Sequence, residues 1–85
     1  MSLGEQIKKL RKEKGIFQEE LADKLNLSRT AISGYEINTR EPSLQTLKKI
    51  CVFFGVSADE LLEIDTKEQK EEILNEINQY NNNKR

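Results

Sequence analysis

Histidine and tryptophan are absent from this 85-residue chain, and cysteine, proline and methionine occur once each. Without histidine, the usual His/Cys metal sites and histidine-based acid–base catalysis are excluded. The single cysteine, Cys51, excludes an intramolecular disulfide, and its apolar neighbours predict a buried, unreactive thiol. No apolar run approaches the roughly 20 residues that span a bilayer, and no signal-peptide pattern opens the chain, so we expect a cytoplasmic protein.

The size and the hydropathy of the chain also limit its function. With 35% hydrophobic residues and a mean hydropathy of −0.75, the chain predicts one small domain with a thin core. No phosphate-binding glycine loop and no paired carboxylates in a cleft-like context are present. We therefore predict that the protein is not an enzyme, with no catalytic residues, no metal and no cofactor, and no small-molecule ligand is evident.

A net charge of −1 conceals an asymmetry between the two ends of the chain. Residues 1–55 hold ten Lys and Arg against seven Asp and Glu, a charge of +3, whereas residues 56–85 hold four against eight, a charge of −4. The first part is therefore the one suited to face a polyanion.

Helical periodicity and residues typical of helix ends predict an all-α protein, with no competing strand pattern. Serines are predicted to begin several helices, Gly15 and Gly55 to end two, and Asn26 and Asn38 to adopt the left-handed conformation at two more ends. Phe17 is unusual because it occupies a position where Ser or Thr is expected. The helices are predicted at about 3–14, 18–25, 28–36, 44–54, 58–63 (with Leu61 and Leu62 inward) and from Thr66, which forms a capping box with Gln69.

The second and third helices form a helix-turn-helix. Ala22 permits a close helix crossing and Asn26 supplies the turn. The shared core is predicted to contain Leu21, Leu25, Leu27, Ile32 and Tyr35. Helical phase then directs a different set outward, which comprises Arg29, Thr30, Ser33 and Gly34. This motif reads DNA by presenting the start of its second helix to the major groove.

The sequence resembles the Cro and phage-repressor, or XRE-type, helix-turn-helix regulators over about residues 3–63. The matching segments are IKKLRKEKG (7–15), QEELADKLNLSRTAIS (18–33), YE (35–36), REPSLQTLKKI (40–50) and FGVSADELL (54–62). Phe17, Asn26 and the pair Ile37-Asn38 depart from the family pattern. The resemblance implies a five-helix repressor-like DNA-binding domain, residues 1–64, followed by a C-terminal helical tail, residues 65–85.

The resemblance also implies roles for individual residues. Gln18 is expected to bind a phosphate, Arg29 and Thr30 to face base edges, and Gly34 to allow close backbone approach. Arg11 and Glu36 match a paired ion bridge between the first and third helices. The full set of expected DNA-binding residues is Gln18, Ser28, Arg29, Thr30, Ser33, Gly34, Asn38, Thr39 and Arg40. Several of these are also common surface residues, and a purely solvated role remains an alternative for each.

The tail carries an apolar stripe at helical spacing, made of Ile73, Leu74, Ile77 and Tyr80. The stripe packs either on the chain's own domain or against a second copy, and we favour the second copy because symmetric pairs read two half-sites of a palindromic operator.

We predict a sequence-specific, double-stranded DNA-binding transcriptional regulator, a repressor that acts as a homodimer and reads the major groove with helix 28–36. Two alternatives remain: an antitoxin-type DNA-binding protein of a toxin–antitoxin pair, and a protein–protein interaction module that kept the fold.

Overall fold

The computed structural model describes residues 1–62 and 67–83 and, within the last helix, the side chains of 70–79. This part of the chain is helical throughout, with turns and no strand, which confirms the all-α prediction. The elements are α1 (Leu3–Glu13), α2 (Gln18–Leu25), α3 (Arg29–Glu36), α4 (Leu44–Phe54), α5 (Ala58–Leu62) and α6 (Lys67–Asn83). The predicted domain boundary at 64/65, residue 63 of the fifth helix and the cap at Thr66 lie outside the described residues. None of the helices described is both long and apolar enough to cross a membrane.

Serine hydroxyls begin four of the first five helices. Each accepts a hydrogen bond from the backbone N–H three residues later, which satisfies one of the amides that a helix start leaves without a partner. The four bonds are Glu5 to Ser2 (3.2 Å), Ala31 to Ser28 (3.1 Å), Thr46 to Ser43 (3.2 Å) and Glu60 to Ser57 (3.1 Å). The exception is α2, where Phe17 supplies no side-chain acceptor and its own N–H donates to the Glu20 carboxylate at 3.0 Å.

Residues in the left-handed backbone conformation end the first four helices, as predicted. Their φ angles are 70° at Gly15, 57° at Asn26, 62° at Asn38 and 67° at Gly55. At each of these ends the following N–H bonds back to the last turn of the helix, as from Leu27 to the Ala22 carbonyl at 2.8 Å. This is the Schellman arrangement, and it turns the chain sharply enough for neighbouring helices to pack against each other.

Each of the helices α1–α5 contributes one fully buried side chain to a single core: Ile7, Leu21, Ile32, Ile50 and Leu61. Leu61 is 1% exposed, but Leu62 is 37% exposed, so the prediction that both point inward is wrong. Successive residues of a helix are rotated by about 100°, and the short α5 can bury only one of the two. Cys51 is half-buried, and burial raises the pKa of its thiol, which keeps it protonated at neutral pH.

The first turn of α1 lies directly against the end of α3. A Cβ atom at Gly4 would lie 2.3 Å from the Tyr35 carbonyl oxygen and 2.7 Å from that of Glu36. The Gly4 N–H donates to the Asn38 side-chain oxygen at 3.0 Å, and the Asn38 amide donates to the Ser2 hydroxyl at 3.0 Å. Glycine is therefore required at position 4 by close backbone approach, and Asn38 fastens the two helix ends together.

We expect Gly4→Ala to lower the free energy of unfolding by about 3 kcal/mol, the upper end for an overpacked site, because backbone oxygens cannot move aside as side chains do. Urea denaturation followed by circular dichroism measures the change. Lys9→Ala, on the exposed side of the same helix, is the control and should stay within about 0.5 kcal/mol of wild type. Equal stabilities of the two variants would contradict the close approach.

Candidate nucleic-acid interface

Helix α3 has one face in the core and one in solvent. Ile32 is 0% exposed and Tyr35 is 8% exposed, whereas Arg29 and Thr30 in the first turn are exposed. Leu27, before the helix, is partly buried and packs on the core. Ser33 is half-buried at the border of the two faces. Arg29 and Thr30 thus occupy the outward position expected from the sequence.

Gly34 lies on the same side of α3 as Thr30, as helical phase predicts, but it is not exposed there, and this part of the sequence expectation is wrong. It is buried, because the side chain of Arg40 lies across it. A Cβ atom at position 34 would lie 2.6 Å from Cδ and 2.8 Å from Cγ of Arg40. The contact joins residues on either side of a turn, so helical phase within α3 gave no indication of it.

A buried ion pair joins α1 to α3, as the family resemblance implied. Arg11 Nε lies 2.6 Å from Glu36 Oε2, and Arg11 Nη2 lies 3.0 Å from Oε1. The Gln18 amide also donates to Glu36 Oε1, at 3.1 Å. Gln18, the first residue of α2, is therefore held by the last residue of α3.

The surroundings of Glu36 keep it ionised. Burial pushes its pKa upward, but hydrogen bonds from Arg11 and Gln18 and the positive charge of Arg11 outweigh burial, so the pKa of Glu36 is lowered. The hydrogen bond to Glu36 raises the pKa of Arg11. Bidentate pairing of this kind satisfies both planar groups at once.

Gln18 and Arg29 line one concave surface between the start of α2 and the start of α3, together with Arg11, Phe17 and Glu19. Phe17 is 76% exposed there. Sequence reasoning identified Phe17 only as an unusual helix start and missed its place in this surface. An aromatic residue where a cap is expected was the available signal.

Residues after α3 behave differently from one another. The Asn38 amide is engaged on both sides, by Gly4 and Ser2. The Thr39 hydroxyl donates to the Gly34 carbonyl at 3.3 Å. Arg40 is exposed, and among the described residues its guanidinium takes part in no ion pair or side-chain hydrogen bond. Of the three loop residues expected to contact DNA, Arg40 is therefore the one whose charged side chain is free to bind a phosphate.

A family model described as helix-turn-helix matches residues 7–61. The HTH-type transcriptional regulator ImmR of Bacillus subtilis (strain 168) is 39% identical over 77 residues, which cover 88% of this chain and 61% of ImmR. The chain therefore spans less than two thirds of that relative.

Solved structures share the fold. The P22 c2 repressor in complex with a synthetic operator has a TM-score of 0.71 and 32% identity, covering 76% of this chain and 98% of that one. The wild-type restriction–modification controller protein C.Esp1396I has a TM-score of 0.61 and 42% identity, covering 85% and 90%. The chain belongs to the XRE-type helix-turn-helix family, which confirms the sequence resemblance.

The buried pair generates a pH prediction. Because folding lowers the pKa of Glu36, its contribution to stability is present above the ordinary carboxyl pKa of about 4.3 and is lost as the pH falls through the folded value. We expect the unfolding free energy of wild type to fall between pH 6 and pH 3 more than that of Glu36→Gln.

At pH 7, Glu36→Gln leaves Arg11 without its charged partner and should lower the unfolding free energy by about 3 kcal/mol. Glu13→Gln, at an exposed position of α1, is the matched control and should change it by less than about 0.5 kcal/mol. Identical pH dependence of wild type and Glu36→Gln would refute the assignment.

Proposed function

We propose that the protein is a sequence-specific transcriptional regulator, a repressor, that binds double-stranded DNA with α3 in the major groove. The observation that carries this proposal is the pair of faces of α3: Ile32 and Tyr35 fix the helix in the core while Arg29 and Thr30 stand free in solvent. The family supports it, since the P22 c2 repressor shares the fold and is seen with an operator.

The start of α2 is suited to a backbone phosphate. Phe17 places no side-chain acceptor over the first amides of α2, in contrast to the serines that cap α1, α3, α4 and α5. Uncapped amides and the positive end of the helix dipole favour an anion. The Gln18 amide has two N–H groups, and the one that does not bind Glu36 can donate to the same phosphate.

Base reading falls to the first turns of α3. The Arg29 guanidinium can donate two parallel hydrogen bonds to guanine O6 and N7, and the Thr30 methyl can contact the methyl group of thymine. Ser33, half-buried behind them, contacts bases or phosphate through its hydroxyl. The Ser28 hydroxyl accepts the Ala31 N–H and retains its own proton for a phosphate. Arg40 binds a phosphate on the far side. Thr39, whose hydroxyl and N–H both donate to the Gly34 carbonyl, and Asn38 set the turn that delivers Arg40.

The first test begins with selection of bound duplexes from random DNA, which provides an operator. We then expect Arg29→Ala to weaken binding to that operator by about 1–3 kcal/mol, roughly 5- to 150-fold, because it removes a base contact. Electrophoretic mobility shift measures the change. Lys24→Ala is the control: it also removes one positive charge, but from the last turn of α2, outside the proposed interface. It should leave specific affinity within about twofold at 150 mM salt.

A salt series distinguishes this function from a protein–protein interaction module. The logarithm of the affinity should fall linearly with the logarithm of the salt concentration. The slope should be about −0.9 for each phosphate neutralised. Binding that is unaffected by salt, together with an unchanged Arg29→Ala affinity, would reject DNA reading and favour a protein–protein module.

Helix α6 supports the second part of the proposal, a homodimer. Ile73, Leu74 and Ile77 are 42%, 54% and 51% exposed, and with Lys70 they line an apolar groove. Tyr80 belongs to the helix, but its side chain lies outside the described part. An apolar stripe of this kind on a helix is most simply covered by the same stripe of a second copy.

The charges of α6 indicate an antiparallel pair. Residues 67–76 hold glutamates at 68, 71, 72 and 76 and lysines at 67 and 70, a net charge of −2, whereas residues 77–83 carry no charge. A parallel pair would place the two net-negative halves side by side, which is unfavourable. An antiparallel pair places the acidic half of one helix beside the neutral Asn- and Gln-rich half of the other. The same stripe would equally serve a toxin or another protein partner, and this observation keeps the antitoxin alternative in the test.

We expect the wild type to sediment as a dimer at micromolar concentration and Ile73→Gln/Ile77→Gln as a monomer with unchanged thermal stability of residues 1–62. Analytical ultracentrifugation measures the mass. Asn75→Ala, also on α6 but outside the stripe, should remain dimeric. A monomeric wild type would reject the homodimer and leave the stripe to a different protein.

A further inference from the structure

The Gly34 carbonyl is the point at which the chain folds back on α3. It accepts the backbone N–H of Thr39 at 3.0 Å, the backbone N–H of Arg40 at 3.2 Å and the Thr39 hydroxyl at 3.3 Å. Three donors from two consecutive residues converge on one oxygen. Position 34 therefore fixes where the backbone of Arg40 lies relative to α3.

The bare α-carbon of Gly34 also receives the stem of Arg40. A Cβ atom at position 34 would lie 2.6, 2.8 and 3.2 Å from the Cδ, Cγ and Cβ atoms of Arg40. Carbon atoms prefer separations of about 3.5–4.0 Å, so all three contacts are too short. Since Cβ and Cγ are close to the backbone, the clash cannot be relieved by moving only the guanidinium. A side chain at position 34 therefore displaces the whole stem of Arg40, from Cβ outward.

This contact between the Gly34 α-carbon and the Arg40 stem, called the seat below, lies next to the proposed reading surface formed by Arg29 and Thr30. Gly34 follows Thr30 by four residues, so the two positions are neighbours on one face of α3. Thr30 is exposed, while Gly34 one turn later is covered by Arg40. Glycine within a helix costs about 1 kcal/mol relative to alanine, and the seat gives this cost a structural reason.

We propose that Gly34 is a positioning residue for Arg40: it seats the arginine stem against α3 and so directs the guanidinium to a DNA phosphate at the C-terminal edge of the α3 reading surface. The inference rests on the proposed DNA-binding function. It replaces the expectation that Gly34 admits the DNA backbone, because the close approach is made by Arg40 instead. Gly34 and Arg40 thus act as one unit.

A double-mutant cycle tests the unit. With the selected operator, we expect Gly34→Ala and Arg40→Ala each to weaken binding roughly tenfold, as loss of one charge-assisted phosphate contact does. The double variant Gly34→Ala/Arg40→Ala should be no weaker than Arg40→Ala alone, because the two changes remove the same contact. Arg40→Ala should also lower the salt slope by about one.

Arg29→Ala serves as the comparison, since its effect should add to that of Gly34→Ala. Circular dichroism should show Gly34→Ala folded. If it does not fold, the double variant, which removes Cγ and Cδ of Arg40, should restore folding while the affinity stays low.

Two outcomes would overturn the inference. Unchanged affinity of Gly34→Ala shows that Arg40 needs no seat. Losses from Gly34→Ala and Arg40→Ala that add show that Gly34 acts on DNA independently of Arg40.

The seat also has a readout without DNA: nuclear Overhauser effects between the Gly34 Hα protons and the Arg40 side chain in the free protein. Their absence overturns the inference by itself. Failure of the selection to yield any bound duplex, with the Overhauser effects present, instead rejects DNA binding as the function and with it the role of the seat in positioning Arg40 on a phosphate.

Discussion

The carboxylate of Glu36 holds together the parts of the molecule that form the candidate interface. It binds two guanidinium nitrogens of Arg11 and the amide of Gln18, while a third guanidinium nitrogen of Arg11 donates to the Ile16 carbonyl at 2.8 Å. One network therefore joins α1, the α1–α2 turn, the first residue of α2 and the last residue of α3. Burying two charges is costly, so such a pair adds little net stability over an apolar equivalent, but losing one member is strongly destabilising. The network defines one arrangement of these three helices, in which the end of α3 is bound to α1 and to the start of α2.

That arrangement is what an interface with a rigid duplex requires. A phosphate held at the start of α2 and a base edge read from the start of α3 have a fixed separation on DNA, and the protein must match it. The Arg11–Glu36–Gln18 network fixes the start of α2 relative to α3. Just past the same end of α3, Asn38 binds Gly4 and Ser2 at the start of α1, so the start and the last turn of α1 are both bound to the C-terminal end of α3. Ile7, which lies between these two contacts on α1, and Ile32 of α3 are completely buried.

Much of this was accessible from the sequence because the signals are local. A serine before a helix, a glycine or asparagine after it, and apolar residues at helical spacing depend on a few neighbouring residues, and they located α1–α5 and the inward placement of Ile32 and Tyr35. Contacts across a turn or between elements were less accessible. Helical phase placed Gly34 outside, but a residue six positions later covers it, and nothing within α3 encodes where the Arg40 stem will lie. The Arg11–Glu36 pair is equally non-local, and it was predicted only through the family resemblance.

The small net charge of the chain fits the proposed function better than a strongly basic surface would. Non-specific affinity for DNA grows with the number of phosphates neutralised, and a chain with a charge of only +3 over residues 1–55 gains little of it. In the proposed complex, specific contacts at Arg29 and Thr30 would then make up a larger share of the total binding energy, which would raise the ratio of specific to non-specific affinity. The charge of −4 over residues 56–85 acts in the same direction. In the proposed complex, phosphates would repel the glutamates of α6, which would leave the apolar stripe of α6 to a protein partner.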